Sequence, residues 1–337
     1  MSTEPVRVAS IGLGWWSDVL ADAAKRSAKV KIVACYTRSE DKRRAFAEKY
    51  GCRAVSRYEE ILAADDIDAI INTTPNQTHL ETVRSAAQAG KHTFLDKPIA
   101  TTIRDGRGII QACRDGGVVL AVGYQRRREN QFRWIRDRIA AGDFGHVVQA
   151  EANISRDREG KFDITSWRYT AAGMPGGVML QIGVHYTDVL EMLLGPVKSV
   201  SGMTAQLALP GENPDVAGLL MQHENGAIST LNAGYASASE YYLMNVYGRE
   251  MTAYYSLHEG LKVLKRRTTE AVPVPTRKND TLVEELEEFA DCVRGKGEPE
   301  VDGEKALRSL AVIRAGVKSA REGRHVAVEE ILAGRDD

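Results

Sequence analysis

Residues 6–17 read VRVASIGLGWWS, and this stretch decides the class of fold. Its first half is an apolar run typical of a buried strand, and the glycine turn leads into a helical pattern over residues 18–27. Such a turn lets a pyrophosphate approach the backbone and contact the N–H groups of the helix N-terminus. Ser17 stands where a third glycine is usual in this motif. The alternative to a dinucleotide site is a strand-turn-helix that binds no ligand. We predict a dinucleotide site that includes Gly12, Leu13, Gly14, Trp15 and Trp16.

Strand and helix patterns alternate from this stretch to residue 123, with further apolar strands at residues 30–36, 68–72 and 118–123. This alternation predicts a doubly wound parallel sheet. Beyond residue 145 the pattern changes to long strands with little helix, including a hairpin at Glu224-Asn225-Gly226. We therefore predict an α/β protein in which residues 1–124 form a dinucleotide-binding Rossmann domain. Residues 125–337 are predicted to form a substrate-binding and oligomerisation domain with a large, mostly antiparallel, open-faced sheet and two closing helices.

The residues after the second strand bear on the type of dinucleotide. An acid at this position usually binds the ribose hydroxyls of NAD, whereas a 2′-phosphate requires a cation and small hydroxyls. The chain reads Thr37-Arg38-Ser39, and the first acid, Glu40, comes after the arginine. We predict that Thr37, Arg38 and Ser39 favour NADP(H), with NAD(H) as the other option and a solvated loop arginine as the alternative interpretation.

Lys97 follows an apolar strand, residues 92–96, and precedes Pro98. A following proline favours extended geometry and disfavours a packed helix, so the lysine is predicted to lie where a strand ends at a cleft. An ordinary solvated loop lysine is the alternative.

A second chemical cluster lies in residues 173–188, where a Gly-Gly turn leads into a predicted helix. Gln181, His185 and Asp188 stand at i, i+4 and i+7 and share one helical face. We predict that His185 carries a proton during catalysis, although a lone histidine can also be a hydrogen-bonded structural residue.

Composition limits the partners and the compartment. The 337 residues are 43% hydrophobic with a formal net charge of −1, which argues against a basic nucleic-acid-binding face. Four cysteines lack metal-ligand spacing, so neither a metal site nor a disulfide framework is indicated. No apolar run approaches the ~20 residues of a membrane span. We expect a soluble, cytoplasmic protein with a small-molecule substrate.

The motifs in their order resemble the Gfo/Idh/MocA oxidoreductase family over nearly the whole chain. The strings that carry the resemblance are residues 12–14, 74–79, 89–98, 123–126, 167–168 and 183–188. The resemblance implies a Rossmann domain, an α/β domain whose open sheet forms a dimer or tetramer, and NAD(P)-dependent oxidation of sugars, polyols or cyclic diols. It also implies Lys97 as the catalytic lysine and further cofactor contacts at Thr74, Pro75, Asn76, His79, Asp96, Lys97 and Gln125.

The chain departs from the family pattern at two places. Gln181 stands where the family has an aspartate before the histidine, and Gln181 cannot ionise. Arginine replaces an aromatic residue after Gln125, and the resulting arginines form either a solvated face or a fork for a carboxylate or phosphate. The predicted substrate-binding residues are Tyr124, Arg126, Arg127, Trp167, Arg168 and Gln181.

Three functions remain open at this point. The first is hydride transfer between nicotinamide and a secondary alcohol or ketone of a sugar, a polyol or a cyclic diol that carries a carboxylate. The second is a redox-neutral NAD-dependent glycosidase or lyase, and the third is a dinucleotide-bound regulator without turnover.

Overall fold

The computed structural model describes residues 4–158, 163 and 166–334, and these residues form two compact units. The first unit comprises residues up to Gln125 together with Asp280–Leu307. The second comprises Arg126–Asn279 and the residues from Arg308 onward.

The first unit begins with alternating strands and helices. Its elements are β1 (Val6–Ile11), α1 (Trp15–Arg26), β2 (Val30–Tyr36), α2 (Glu40–Tyr50), β3 (Arg53–Ala54), α3 (Tyr58–Leu62), β4 (Ala69–Asn72), α4 (His79–Gln88), β5 (His92–Asp96), α5 (Ile103–Asp115) and β6 (Leu120–Gly123). The strands of this unit pair in parallel in the order β3-β2-β1-β4-β5-β6. The predicted doubly wound sheet is confirmed, and its strand order reverses between β1 and β4, where such sheets bind ligands.

The second unit is built on a larger mixed sheet. Its elements before residue 280 are α6 (Asn130–Ala140), β7 (Val147–Asp157), α7 (Val184–Leu194), β8 (Val197–Ala205), β9 (Val216–His223), β10 (Ile228–Gly234), β11 (Ala236–Gly248), β12 (Met251–Ser256), β13 (Gly260–Lys265) and β14 (Val272–Val274).

The chain ends with α8 (Thr281–Val293), α9 (Gly303–Glu322), β15 (Val326–Ala327) and α10 (Val328–Leu332). The second sheet has the order β14-β13-β12-β11-β7-β10-β9-β8-β15. Only β7 and β10 pair in parallel among its described strands, so the predicted mostly antiparallel sheet is also confirmed.

Helix α8 differs from the expectation that both late helices close the second domain. Its buried Leu286 and Phe289 pack with Val6, Leu20 and Phe94 in the core of the first unit. Helical periodicity predicts that a face is apolar but does not say which sheet covers that face.

None of the helices in the described ranges combines the length and the apolar character that a membrane span requires.

Candidate active site

The turn after β1 packs tightly against the turn after β4. Gly12 adopts φ +83°, and a Cβ atom at residue 12 would lie 2.5 Å from the backbone nitrogen of Thr74. The Thr73 hydroxyl donates to the Gly12 carbonyl at 2.7 Å. Glycine is needed here both for the left-handed backbone and for the close approach of the two turns.

The N-terminus of α1 is open to an anion. Gly14 is the N-cap residue, no described side chain caps its first-turn N–H groups, and a Cβ atom at residue 14 would contact nothing within 4 Å. The Ser17 hydroxyl donates to the Gly14 carbonyl at 2.7 Å, which explains how serine fits the third glycine position. Uncapped N–H groups and the helix dipole fit the pyrophosphate of a dinucleotide.

The loop after β2 presents Arg38. The Thr37 and Arg38 carbonyls both accept from Arg43, at 2.6 and 3.1 Å, and the Ser39 hydroxyl caps α2. Glu40 pairs with Arg44 at 2.6 Å. The exposed Arg38 side chain makes no hydrogen bond or ion pair with the described residues.

His79 joins two loops of the first unit. Its ring nitrogens lie 3.0 Å from the Thr74 carbonyl oxygen and 3.2 Å from the Ile99 carbonyl oxygen. Burial lowers the pKa of His79, although these carbonyl oxygens oppose the shift. The ring therefore connects the turn that contains Thr74, Pro75 and the buried Asn76 to the segment after Lys97, and a direct cofactor contact stays a prediction.

Lys97 lies at the carboxyl edge of the parallel sheet, directly after β5. It is half-buried, as is Asp96, and Pro98 and Ile99 behind it are buried. This is the strand-end position expected from the proline that follows Lys97.

The segment after β6 contains Tyr124 and Gln125. The Tyr124 side chain is fully buried in the first unit. The Gln125 side-chain oxygen is also buried and accepts no hydrogen bond within the described residues. A donor group of a bound dinucleotide would satisfy this oxygen, so Gln125 fits the predicted cofactor set.

In the second unit, His185 occupies the start of α7. A π-helical turn, Met179–Gly183, precedes α7, whereas the i, i+4, i+7 prediction treated residues 181–188 as one α-helix. A π-turn takes up extra residues without ending the helix, which apolar periodicity does not reveal. His185 and Asp188 are buried, and Gln181 is half-buried.

Asp188 forms a buried ion pair with Arg127. The guanidinium donates to the two carboxylate oxygens at 2.8 and 2.5 Å, and the two side chains are 9% and 1% exposed. Two parallel charge-assisted hydrogen bonds fix the geometry of such a pair. Arg127 was predicted to bind substrate, but its guanidinium has a protein partner on the helix that carries His185.

The neighbouring arginines are also engaged. Arg126 pairs with Glu129 at 2.7 Å and lies over the Tyr242 ring, 4.6 Å from its centroid. Arg128 is buried, and its carbonyl accepts from Asn279. The alternative of a solvated arginine face is therefore wrong, because Arg127 and Arg128 are buried and the Arg126 and Arg127 side chains pair with acids.

Arg168 stacks on Trp167 with its guanidinium carbon 4.5 Å from the ring centroid. Arg168, Gln181 and Tyr235 line one cavity of the second unit. Tyr235 was missed as a site residue, since a tyrosine between two strands carries no motif. Within the described ranges, no cluster of three or more His, Cys, Asp or Glu could hold a metal ion.

Two family models match the chain. Residues 6–124 match the GFO/IDH/MocA model, described as an oxidoreductase family with an NAD-binding Rossmann fold, and residues 132–254 match the GFO/IDH/MocA C-terminal domain. The chain is 28% identical to the D-apiose dehydrogenase of Paraburkholderia graminis, covering 96% of this chain and 90% of that protein.

Two crystal structures are also similar. A protein of Desulfitobacterium hafniense, provisionally described as an NADPH-dependent oxidoreductase, is 36% identical with a TM-score of 0.92 over 97% of this chain and 99% of that one. The WlbA dehydrogenase of Bordetella pertussis, solved with NADH and UDP-GlcNAcA, is 27% identical with a TM-score of 0.83 over 96% and 98% of the two chains.

Proposed function

The chain belongs to the Gfo/Idh/MocA oxidoreductase family, and from this premise we propose that it transfers hydride between NADP(H) and a secondary alcohol or ketone of a sugar, polyol or carboxylated cyclic diol. The observation that carries the proposal is Lys97 at the edge of the same parallel sheet whose Gly12–Gly14 turn fits a pyrophosphate. The relative that oxidises D-apiose supports a sugar-like substrate.

We propose that Lys97 and His185 are the catalytic residues. The Lys97 ammonium would donate a hydrogen bond to the reacting oxygen, and His185 would exchange the proton of the hydroxyl group. The nicotinamide, when bound, supplies the redox chemistry.

The test is nicotinamide absorbance after the addition of candidate sugars, polyols and their oxidised forms, with each cofactor. A change in nicotinamide absorbance that is proportional to the amount of product supports hydride transfer. Product without a net absorbance change would instead support a redox-neutral reaction, and cofactor binding without turnover would support a regulator.

Arg38→Ala should weaken NADP binding by about 1.5–3 kcal/mol and leave NAD binding nearly unchanged, because Arg38 is proposed to contact the 2′-phosphate. Calorimetric titration with each dinucleotide measures both affinities. Lys42→Ala, an exposed cation on α2, is the matched control and should change neither. Wild-type protein that binds NAD more tightly than NADP would contradict the assignment.

We also propose self-association through the open face of the second sheet. The strand register places Leu220, Thr230, Glu151, Asn245 and Tyr254 in one row across this face. Leu220 and Ile228 are 50% and 45% exposed. An apolar and aromatic face with polar neighbours is typical of a subunit interface.

Only some of the tyrosines on and near the strands of the second sheet face outward. Tyr241, Tyr247 and Tyr254 lie on the open face, whereas Tyr235 and Tyr242 are buried within the unit. Tyr255 packs against Phe132, with ring centroids 5.3 Å apart.

The expected result by light scattering at micromolar concentration is a dimer or a larger species. Leu220→Glu should shift the protein toward a smaller species, because a charge would be buried in the contact. Val272→Glu, at a position on β14 that is 61% exposed, should not change the size of the species. A monomeric wild type would exclude this interface.

A further inference from the structure

Tyr235 holds a hydroxyl in an unusual position in the second unit. The residue links β10 to β11, and its backbone is fixed by hydrogen bonds to Asp215 and Arg158, both at 2.9 Å. The side chain is buried, yet its hydroxyl makes no hydrogen bond within the described residues. A buried hydroxyl without a partner is unfavourable and usually has a functional explanation.

Arg156 and Arg158 lie beside Tyr235 in the backbone pairing of the sheet. On β7, Ser155 and Asp157 lie opposite Gly234 and Ala236, so Arg156 is level with Tyr235. Burial raises the pKa of Tyr235, while the charges of Arg156, Arg158 and Arg168 act in the opposite direction. These positive charges would favour an anion near the hydroxyl.

Arg156 points to the inner face of the sheet, which is rare for a charged strand residue. It follows buried Ile154 at the two-residue period, and its guanidinium lies 5.7 Å from the centroid of the buried Tyr242 ring. Its buried Nε–H donates no hydrogen bond within the described residues, and the half-exposed carboxylate of Glu240 is 4.0 Å away. Among the residues that the structure describes, the charge of Arg156 is therefore only weakly compensated.

The acid that lines the same cavity does not neutralise these arginines. The Asp215 carboxylate accepts backbone N–H bonds from Leu207, Ala208 and Leu209 at 2.9, 2.8 and 2.7 Å. Although burial opposes it, these bonds hold the pKa of Asp215 below its usual value. Its charge is therefore satisfied by backbone N–H groups of the loop rather than by an arginine.

We propose that Tyr235, Arg156 and Arg158 bind an anionic group of the substrate, a carboxylate or a phosphate, so that the enzyme prefers sugar acids or sugar phosphates to neutral sugars. This inference rests on the proposed function. Tyr235 also lines a small cavity with Arg168 and Gln181, and Gln181 belongs to the turn that leads into His185. Arginine is suited to this role because its planar donors match carboxylate and phosphate oxygens.

The first experiment compares kcat/KM for matched compounds, namely hexose, hexuronate and hexose 6-phosphate, and inositol with its monophosphate. We expect kcat/KM to be at least tenfold higher for one anionic class than for the matched neutral compound. Whether the carboxylates or the phosphates are preferred identifies the group that the site binds. The double variant Arg156→Gln/Arg158→Gln and the variant Tyr235→Phe should reduce the ratio of kcat/KM for the anionic compound to kcat/KM for its neutral counterpart. Arg249→Gln, an exposed arginine of the same unit, is the control. Equal rates for neutral and anionic compounds, or a preference that survives the double variant, would overturn the proposal.

The second experiment separates this inference from the proposed function. Calorimetry measures binding of glucuronate and of inorganic phosphate to the intact protein and to the double variant, without turnover. If no compound is oxidised or reduced but wild type binds an anion that the double variant does not bind, the anion site stands and the proposed reaction fails. If wild type binds neither probe and shows no anionic preference in turnover, the anion site is refuted.

Discussion

Lys97→Ala should lower kcat by about 10²–10⁴ with little change in cofactor affinity, which is the usual size of a general acid–base contribution. The expectation follows from the position of Lys97 at the carboxyl edge of the sheet, directly after β5. The His185→Ala variant is expected to lower kcat by a similar factor. Single-turnover hydride transfer by stopped flow, with cofactor binding measured alongside, reports the effect on the chemical step.

Lys91 supplies a matched control in the same unit. It is buried, and its ammonium donates to the carbonyl oxygens of Ala64 and Ile67 at 2.6 and 2.9 Å, so its role is structural. Lys91→Ala should lower the melting temperature and leave kcat of the folded enzyme nearly normal. A Lys97→Ala variant that behaves like Lys91→Ala would show that Lys97 is a structural lysine.

Arg127→Met should lower the free energy of unfolding by about 3–5 kcal/mol, because it leaves the carboxylate of Asp188 buried without its cation. Chemical denaturation measures this loss. In the exposed pair of Arg266 and Glu250, 2.8 Å apart and each 50% exposed, Arg266→Met should cost about 0–1 kcal/mol.

The combined variant Arg127→Met/Asp188→Leu extends this test. Removing both charges should recover much of the lost stability, since no buried charge then remains uncompensated. A loss below about 1 kcal/mol for Arg127→Met alone would mean that water or another group compensates Asp188.

Sequence patterns predicted the elements that have clear ends. The bounds of β2 agree with the predicted 30–36, because turn-forming residues flank this apolar run. The N-terminal glycine turn, the strand end at Lys97 and the helix with His185 were also found, since each depends on residues close together in the chain.

Features that depend on distant residues were missed. The Arg127 and Asp188 pair spans 61 positions, and the sequence predicted a substrate contact or a solvated face for these arginines rather than an ion pair. The π-turn before α7 and the packing of α8 on the first sheet are set by tertiary contacts rather than by local period. The position of Arg156 two residues after Ile154 on β7 was a signal that could have been found, because residues two apart on a strand share one sheet face.

The return of residues 280–307 to the first unit restricts how this polypeptide can be divided. A fragment that ends at residue 124 would lack α8 and leave the apolar surface around Val6, Leu20 and Phe94 uncovered. Each unit consists of two separate stretches, so exchange of a whole unit between homologous genes requires three junctions in place of one. Recombination at the single boundary near residue 125 would therefore join a new substrate unit to a cofactor unit that has lost part of its own core.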